Sequence, residues 1–213
     1  MITHLFEMAI QRIYTPTSPI TSQQEAKEQL IQIFRKPPTA FNNNDYNIIR
    51  AIINKYPELI DEDIPLSEIY SFGYNDKKDT TTPMRIIARV TKDLFGKPQF
   101  RKLLKTAINL SNDLDVPLSP NNYTLLMLFT EYWRDDFVDL LINNNVNLDN
   151  QTTYGMTALH FAVKYNNPKI LEMLLQAGAN PLLKTTDGRT PLDYAKDLNH
   201  TECIDVLKNY TAI

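Results

Sequence analysis

The strongest constraint on this chain is a register of 33 residues near its C-terminus. Tyr154-Gly155-Met156-Thr157-Ala158-Leu159-His160-Phe161-Ala162 is followed by Asp187-Gly188-Arg189-Thr190-Pro191-Leu192-Asp193-Tyr194-Ala195, and Gly155/Gly188, Thr157/Thr190, Leu159/Leu192 and Ala162/Ala195 each stand 33 apart. The same offset carries Ile170 onto Cys203 and Leu174 onto Leu207. A fixed period of this length means stacked copies of one supersecondary unit, because a single copy cannot bury its apolar face alone. The chain is therefore read as a solenoid with Leu159 and Leu192 as equivalent buried pegs.

Local chemistry defines the unit. Thr157 is suited to cap a helix over Ala158–Tyr165. Asn166-Asn167 breaks that helix, and Pro168 opens the next, where a missing N–H costs nothing. Ile170, Leu171, Leu174 and Leu175 form an apolar stripe on this second helix, which runs to about Gln176 and is stopped by Gly178. One period earlier, Thr124, Leu126, Phe137 and Leu141-Ile142 occupy the same places, with Met127 for His160 and Phe129 for Ala162. One period later, the second helix turns polar and Lys208 replaces an apolar residue. A terminal unit needs such an outer face for solubility.

The motif Gly-Met-Thr-Ala-Leu-His-Phe-Ala followed by Leu-Leu-Gln-Ala-Gly-Ala-Asn resembles the ankyrin repeat, closely over 121–213. Upstream the pattern weakens. Thr82-Pro83-Met84-Arg85-Ile86-Ile87-Ala88 has the motif's look, but Met84 lies 42 residues before Leu126, and the surplus is assigned to a long second helix, Pro98–Leu110, and the loop 111–120. Tyr46–Tyr56 reads as an earlier second helix entering a long finger, 58–81. Residues 1–40 do not match; they are read as a helix at 2–14, a turn at 15–19 and a helix capped by the Ser22-x-x-Glu25 box and stopped by Pro37-Pro38. The expected fold is an all-α ankyrin-repeat solenoid with short β-hairpin fingers. It comprises a helical cap over 1–40, divergent repeats at 41–81, 82–120 and 121–151, a regular repeat at 152–184 and a capping repeat at 185–213.

The resemblance implies a non-catalytic protein-binding module that uses the concave face made by fingers and first helices. Placed on that face are Arg89, Tyr123, Glu131, Tyr132, Thr153, Tyr154, Met156, Lys164, Tyr165, Arg189 and Asp197. Tyr and Arg dominate interface hot spots, and four tyrosines on one face stand out even in a chain with 11. Trp133, the only tryptophan, falls in the inter-helix turn. It reads either as an aromatic lid on its helix pair or as a further partner contact. Irregular repeats and Asn/Ile/Lys richness resemble the ankyrin effectors of intracellular bacteria, which implies a host-protein partner and delivery into a host cell without a cleavable signal. The competing reading makes 1–81 the active part of an enzyme or ligase-recruiting adaptor, with the repeats as substrate receptor.

Other chemistries find little support. A net charge of -3 gives no electrostatic footprint for nucleic acid. No apolar run approaches the ~18 residues of a membrane span. One cysteine allows no intrachain disulfide and points to a reducing compartment. Cys203 falls on an apolar stripe with no His placed to activate it, and His200-x-x-Cys203 supplies two metal ligands where a structural zinc site needs four. Asp113-x-Asp115 is too short a pattern for a metal site. No cofactor or metal is expected. A cytoplasmic monomer is.

Overall fold

A computed structural model describes residues 20–36, 42–62, 64–65, 80–81 and 98–211. The helices are α1 (Gln23–Phe34), α2 (Asn43–Lys55), α3 (Pro98–Leu110), α4 (Leu125–Glu131), α5 (Asp135–Asn143), α6 (Ala158–Lys164), α7 (Pro168–Gln176), α8 (Pro191–Asp197) and α9 (Thr201–Thr211). They build an all-α solenoid of helix pairs. First helices α4, α6 and α8 stack in one layer, while α2, α3, α5, α7 and α9 follow one another in a second. The expected helix at 2–14, the stop at 37–38 and the 82–88 motif lie outside the described residues.

The period is written into the backbone. Left-handed residues form three columns: Asn122, Gly155 and Gly188 in the fingers; Trp133, Asn166 and Asn199 between paired helices; Asn145 and Gly178 after second helices. Each of the last two columns closes a helix in the same way. The N–H groups of Arg134, Asn167 and His200 reach the carbonyls of Phe129, Ala162 and Ala195, and those of Val146 and Ala179 reach Leu141 and Leu174. These six-to-one bonds satisfy carbonyls that a helix end leaves open. Asn serves where Gly would, because its short polar side chain tolerates this conformation.

The core runs along the interior of both layers. Leu126, Leu159, Ile170, Leu174, Cys203 and Leu207 are all buried. In the unit where motif residues are lost, Phe129 stacks on Phe137 with centroids 4.9 Å apart, filling the space that Ala162 and Ile170 share one unit on. Leu159 is fully buried, but Leu192 is only partly so. The two pegs are equivalent in position, not in environment, because among the described residues no further helix pair packs on the outer side of the unit that holds Leu192. Bonds with strides near the period tie units together: Asn180 N–H to Asp149 (2.9 Å), Arg101 to Asp136 (2.5 Å) and Lys169 to Asp135.

Upstream helices differ in detail from the sequence reading. Ser22 and Glu25 form the expected box, Glu25 N–H donating to Ser22 Oγ at 3.2 Å and Ser22 N–H to the Glu25 carboxylate at 3.3 Å. α2 starts three residues earlier than expected because Asn42 and Asp45 make a second box. Asn42 Oδ1 accepts from Asp45 N–H (3.0 Å), and the Asp45 carboxylate accepts from Asn42 N–H (2.9 Å). The ends of the long finger meet as a two-residue antiparallel pair, Ile64 opposite Thr81 and Pro65 opposite Thr80. The regular fingers close as turns without a strand ladder: Thr152 N–H donates to Met156 carbonyl (2.9 Å), and Thr185 N–H to Arg189 carbonyl (2.9 Å). Neighbouring fingers then join through Thr153 N–H to Asn121 carbonyl and Thr186 N–H to Tyr154 carbonyl.

Candidate functional site

The first-helix layer brings four of the expected residues into one cluster. Thr124 caps α4 through Met127 N–H, leaving Tyr123 just ahead of the helix and Glu131 at its last turn. Tyr123 donates its hydroxyl proton to the Glu131 carboxylate at 2.5 Å. Its ring meets Phe161 of α6 edge-on, with centroids 5.4 Å apart. Phe161 in turn stacks on Tyr165 at 6.4 Å and 14°. The exposed Lys164 ammonium lies over both rings, 6.0 Å from Phe161 and 5.4 Å from Tyr165. Such contacts hold a cation by the ring quadrupole and keep the aromatics in one orientation.

The electrostatics of the cluster follow from burial beside a carboxylate. Tyr123 is pushed far above the ordinary phenol range, first by desolvation and then by its bond to Glu131. Tyr165 is raised to about 12, by desolvation first, then by Glu131 and by Tyr132. Both phenols therefore stay protonated at neutral pH and serve as donors. Phe161 is the residue the sequence reading missed. It occupies the variable slot between His160 and Ala162, and its size there was the available signal.

The remaining expected residues divide. Tyr132, the C-cap of α4, is half-buried at the edge of the cluster. Tyr154 stands out from its finger, 65% exposed. In the same finger Thr153 is exposed and Met156 half-buried. Arg189 is engaged within its own unit: its Nε donates to Asp187 at 2.6 Å, its guanidinium pairs with Asp197 at 3.2 Å, and it lies 4.4 Å from the Tyr194 ring centroid. Arg89 lies outside the described residues.

Trp133 belongs elsewhere. With φ 55° it sits in the left-handed column of Asn166 and Asn199, and that conformation turns it to the edge where helix pairs reverse. There, 56% exposed, it lines a groove of about 460 Å³ with Asp135, Asn166, Asn167, Pro168, Lys169 and Glu202. None of these is in the aromatic cluster. So open an indole is no lid. A bulky residue in this conformation costs roughly 1 kcal/mol more than Asn, while the buried part of the indole contributes on the order of 2 kcal/mol of packing, so Trp133→Asn is expected to destabilise the chain by only about 1 kcal/mol. Urea denaturation checks the sign.

The reactive-looking groups are each engaged within the chain. Cys203 is fully buried, burial raises its thiol to about 11, and its Sγ faces Asn166 Oδ1 at 3.6 Å. His200 Nδ1 bonds the Val163 carbonyl at 2.8 Å. Asp115 accepts from Asn147 N–H and from Asn150 Nδ2 (2.8 Å), which fixes a loop. Among the described residues no three His, Cys, Asp or Glu side chains gather as a metal site, and no helix is long and apolar enough to cross a membrane.

Comparison with known proteins agrees with this architecture. Residues 140–195 match the family described as ankyrin repeats (many copies). The phosphocholine transferase AnkX of Legionella pneumophila is 28% identical over 131 residues, which covers 58% of this chain and 13% of that protein. The chain thus spans about an eighth of the relative's length, and the relative's activity is its own. With 33-residue columns in the backbone, helix pairs stacked in two layers and a family match across the most regular unit, the fold of this chain is an ankyrin-repeat solenoid.

Proposed function

We propose that the chain is a non-catalytic protein-binding module whose contact face is centred on Tyr123, Glu131, Tyr132, Phe161, Lys164 and Tyr165, with Tyr154 extending it from the finger. Ankyrin repeats imply protein–protein interaction. The observation that carries the placement is the Tyr123–Phe161–Tyr165 arrangement, which spans two adjacent repeats and is held in one orientation by Glu131 and Lys164. Rigid aromatics bury large area at low entropic cost, and their phenol and ammonium donors read a partner's acceptors. Residues 41–213 form the repeat domain in this reading, with 1–40 its N-terminal cap, and the packing of α1 on α2 supports that role. The similarity to a Legionella protein supports a partner in a eukaryotic host cell.

The test is affinity capture from eukaryotic lysate, comparing the native chain with Tyr132→Ala/Tyr165→Ala. Proteins retained by the native chain are expected to be lost from the double variant. Its melting temperature should fall by only a few degrees, as for partly exposed side chains costing about 1 kcal/mol each. Retention of the same proteins by the double variant would refute the placement.

A further inference from the structure

The groove at Trp133 lies on a different edge from the aromatic cluster. Every other left-handed residue in its column is Asn, so the fold does not ask for tryptophan there. A strained backbone carrying a large, open aromatic is a combination that packing does not explain, and such outliers gather at binding sites. We propose that this groove is a second docking site, which receives an arginine side chain from a basic peptide segment of a partner protein.

Charge complementarity selects that occupant. Asp135 and Glu202 line the groove, while the Asn166 amide oxygen is turned to the buried Cys203 thiol. The one cation in the lining, Lys169, is already committed to Asp135, while Glu202 forms no ion pair among the described residues. Three helices, α5, α7 and α9, begin at this edge, and their N-termini would favour an anion. Each is answered from within the chain. Asp135 and Glu202 stand in the first turns of α5 and α9, and Asn167 caps α7 by accepting from Ile170 N–H. What remains without an ion pair is the exposed Glu202 carboxylate, beside the flat indole and the Pro168 ring. A planar guanidinium fits those elements better than an ammonium, because it stacks on an aromatic face while its edge donates to carboxylates.

Trp133 is the only tryptophan, so its fluorescence reports this groove directly. The full chain is titrated with an acetylated Gly-Arg-Gly-Arg-Gly amide, with the same peptide carrying citrulline for arginine, and with a Gly-Glu-Gly-Glu-Gly control. A saturable change with the arginine peptide, at least about fivefold weaker with citrulline, is the expected result. By calorimetry, Glu202→Gln and Trp133→Asn should each weaken the arginine peptide about threefold to fivefold. Trp133→Asn should do so while the chain keeps a cooperative urea transition close to the native one, so that the weaker binding is not a loss of fold. The Tyr132→Ala/Tyr165→Ala variant should bind the peptide as the native chain does. Equal titration by the citrulline peptide, tighter binding of the acidic one, absence of a saturable change, or loss of binding in the tyrosine variant would each overturn the assignment.

Discussion

Gly155→Ala is expected to lower stability by about 3–4 kcal/mol, while the same change at Gly188, one repeat later, costs only about 1–2 kcal/mol. Both glycines adopt the left-handed conformation, with φ of +74° and +80°. A Cβ there carries the same backbone penalty at either position. Their surroundings differ. A Cβ on Gly155 would lie 2.8 Å from Thr185 Cα, 2.9 Å from Thr186 N and 3.0 Å from the Lys184 carbonyl oxygen, whereas nothing lies within 4 Å at Gly188. The obstructing atoms are backbone of the following finger, so no side-chain rotation relieves them. That finger is held close by Thr186 N–H on the Tyr154 carbonyl and by Gln151, whose amide bridges the carbonyls of Gly155 and Lys184. Gly188 is free of such contact because, among the described residues, no finger is stacked against it. Urea denaturation of both variants supplies the comparison. Equal losses would mean that the fingers are not packed as described. If Gly155→Ala does not fold, Gly188→Ala alone still reports the smaller cost.

The two glycines also show how far the sequence carries this fold. Period, helix bounds in the regular repeat and the role of Asn in glycine positions follow from spacing and turn chemistry, and the period recurs in the backbone as left-handed columns. The second helix at 98–110 was legible for the same reason. The start of α2 was not: the pattern reads as a helix from Tyr46, and the run Asn42-Asn43-Asn44 ahead of it carries no apolar residue to mark a helix face. One of those Asn, paired with Asp45, is in fact a cap, which only the hydrogen bonds reveal. Tyr123, Glu131, Lys164 and Tyr165 were legible as members of one face, since a helix and its repeat fix which positions look outward. That Glu131 and Phe161 hold the tyrosines together was hidden, because it depends on contact between repeats. Arg189 is engaged by acids of its own repeat, Asp187 two residues away and Asp197 one helix later, which a face assignment does not weigh. Trp133 follows Tyr132 directly, yet a single left-handed residue sends its ring to another edge.

His160 supplies the second large effect. Its Nδ1 accepts from Thr157 N–H at 3.1 Å, so the neutral ring carries its proton on Nε2 and donates it to the Arg189 carbonyl at 3.1 Å. One buried imidazole thereby caps α6 and ties it to the next finger. In the neighbouring repeats the position is Met127 and Asp193, and Asp193 caps α8 through Thr190 without bridging to another repeat. His160→Ala leaves the buried Thr157 N–H without its partner, removes the tie to the Arg189 carbonyl, which keeps its bonds from Thr185, and opens a cavity, a loss expected near ~3 kcal/mol at pH 7.5. The loss is pH-dependent. Burial pushes the imidazole below its ordinary value, outweighing the opposing effects of the Arg189 carbonyl and Asp187. The unfolded chain, titrating near 6.5, then binds the proton more readily than the folded one. The contribution of His160 is fully present above that value and declines as pH falls below it toward the folded value. Protonation also puts a donor on Nδ1, facing the Thr157 N–H it had accepted from. The gap in unfolding free energy between native and His160→Ala chains should therefore narrow between pH 7.5 and pH 5, by at most about 1.4 kcal/mol per pH unit. A gap constant across that range would show that His160 does not hold its proton less tightly in the folded state, and a gap that widens would reverse the sign of its coupling to folding.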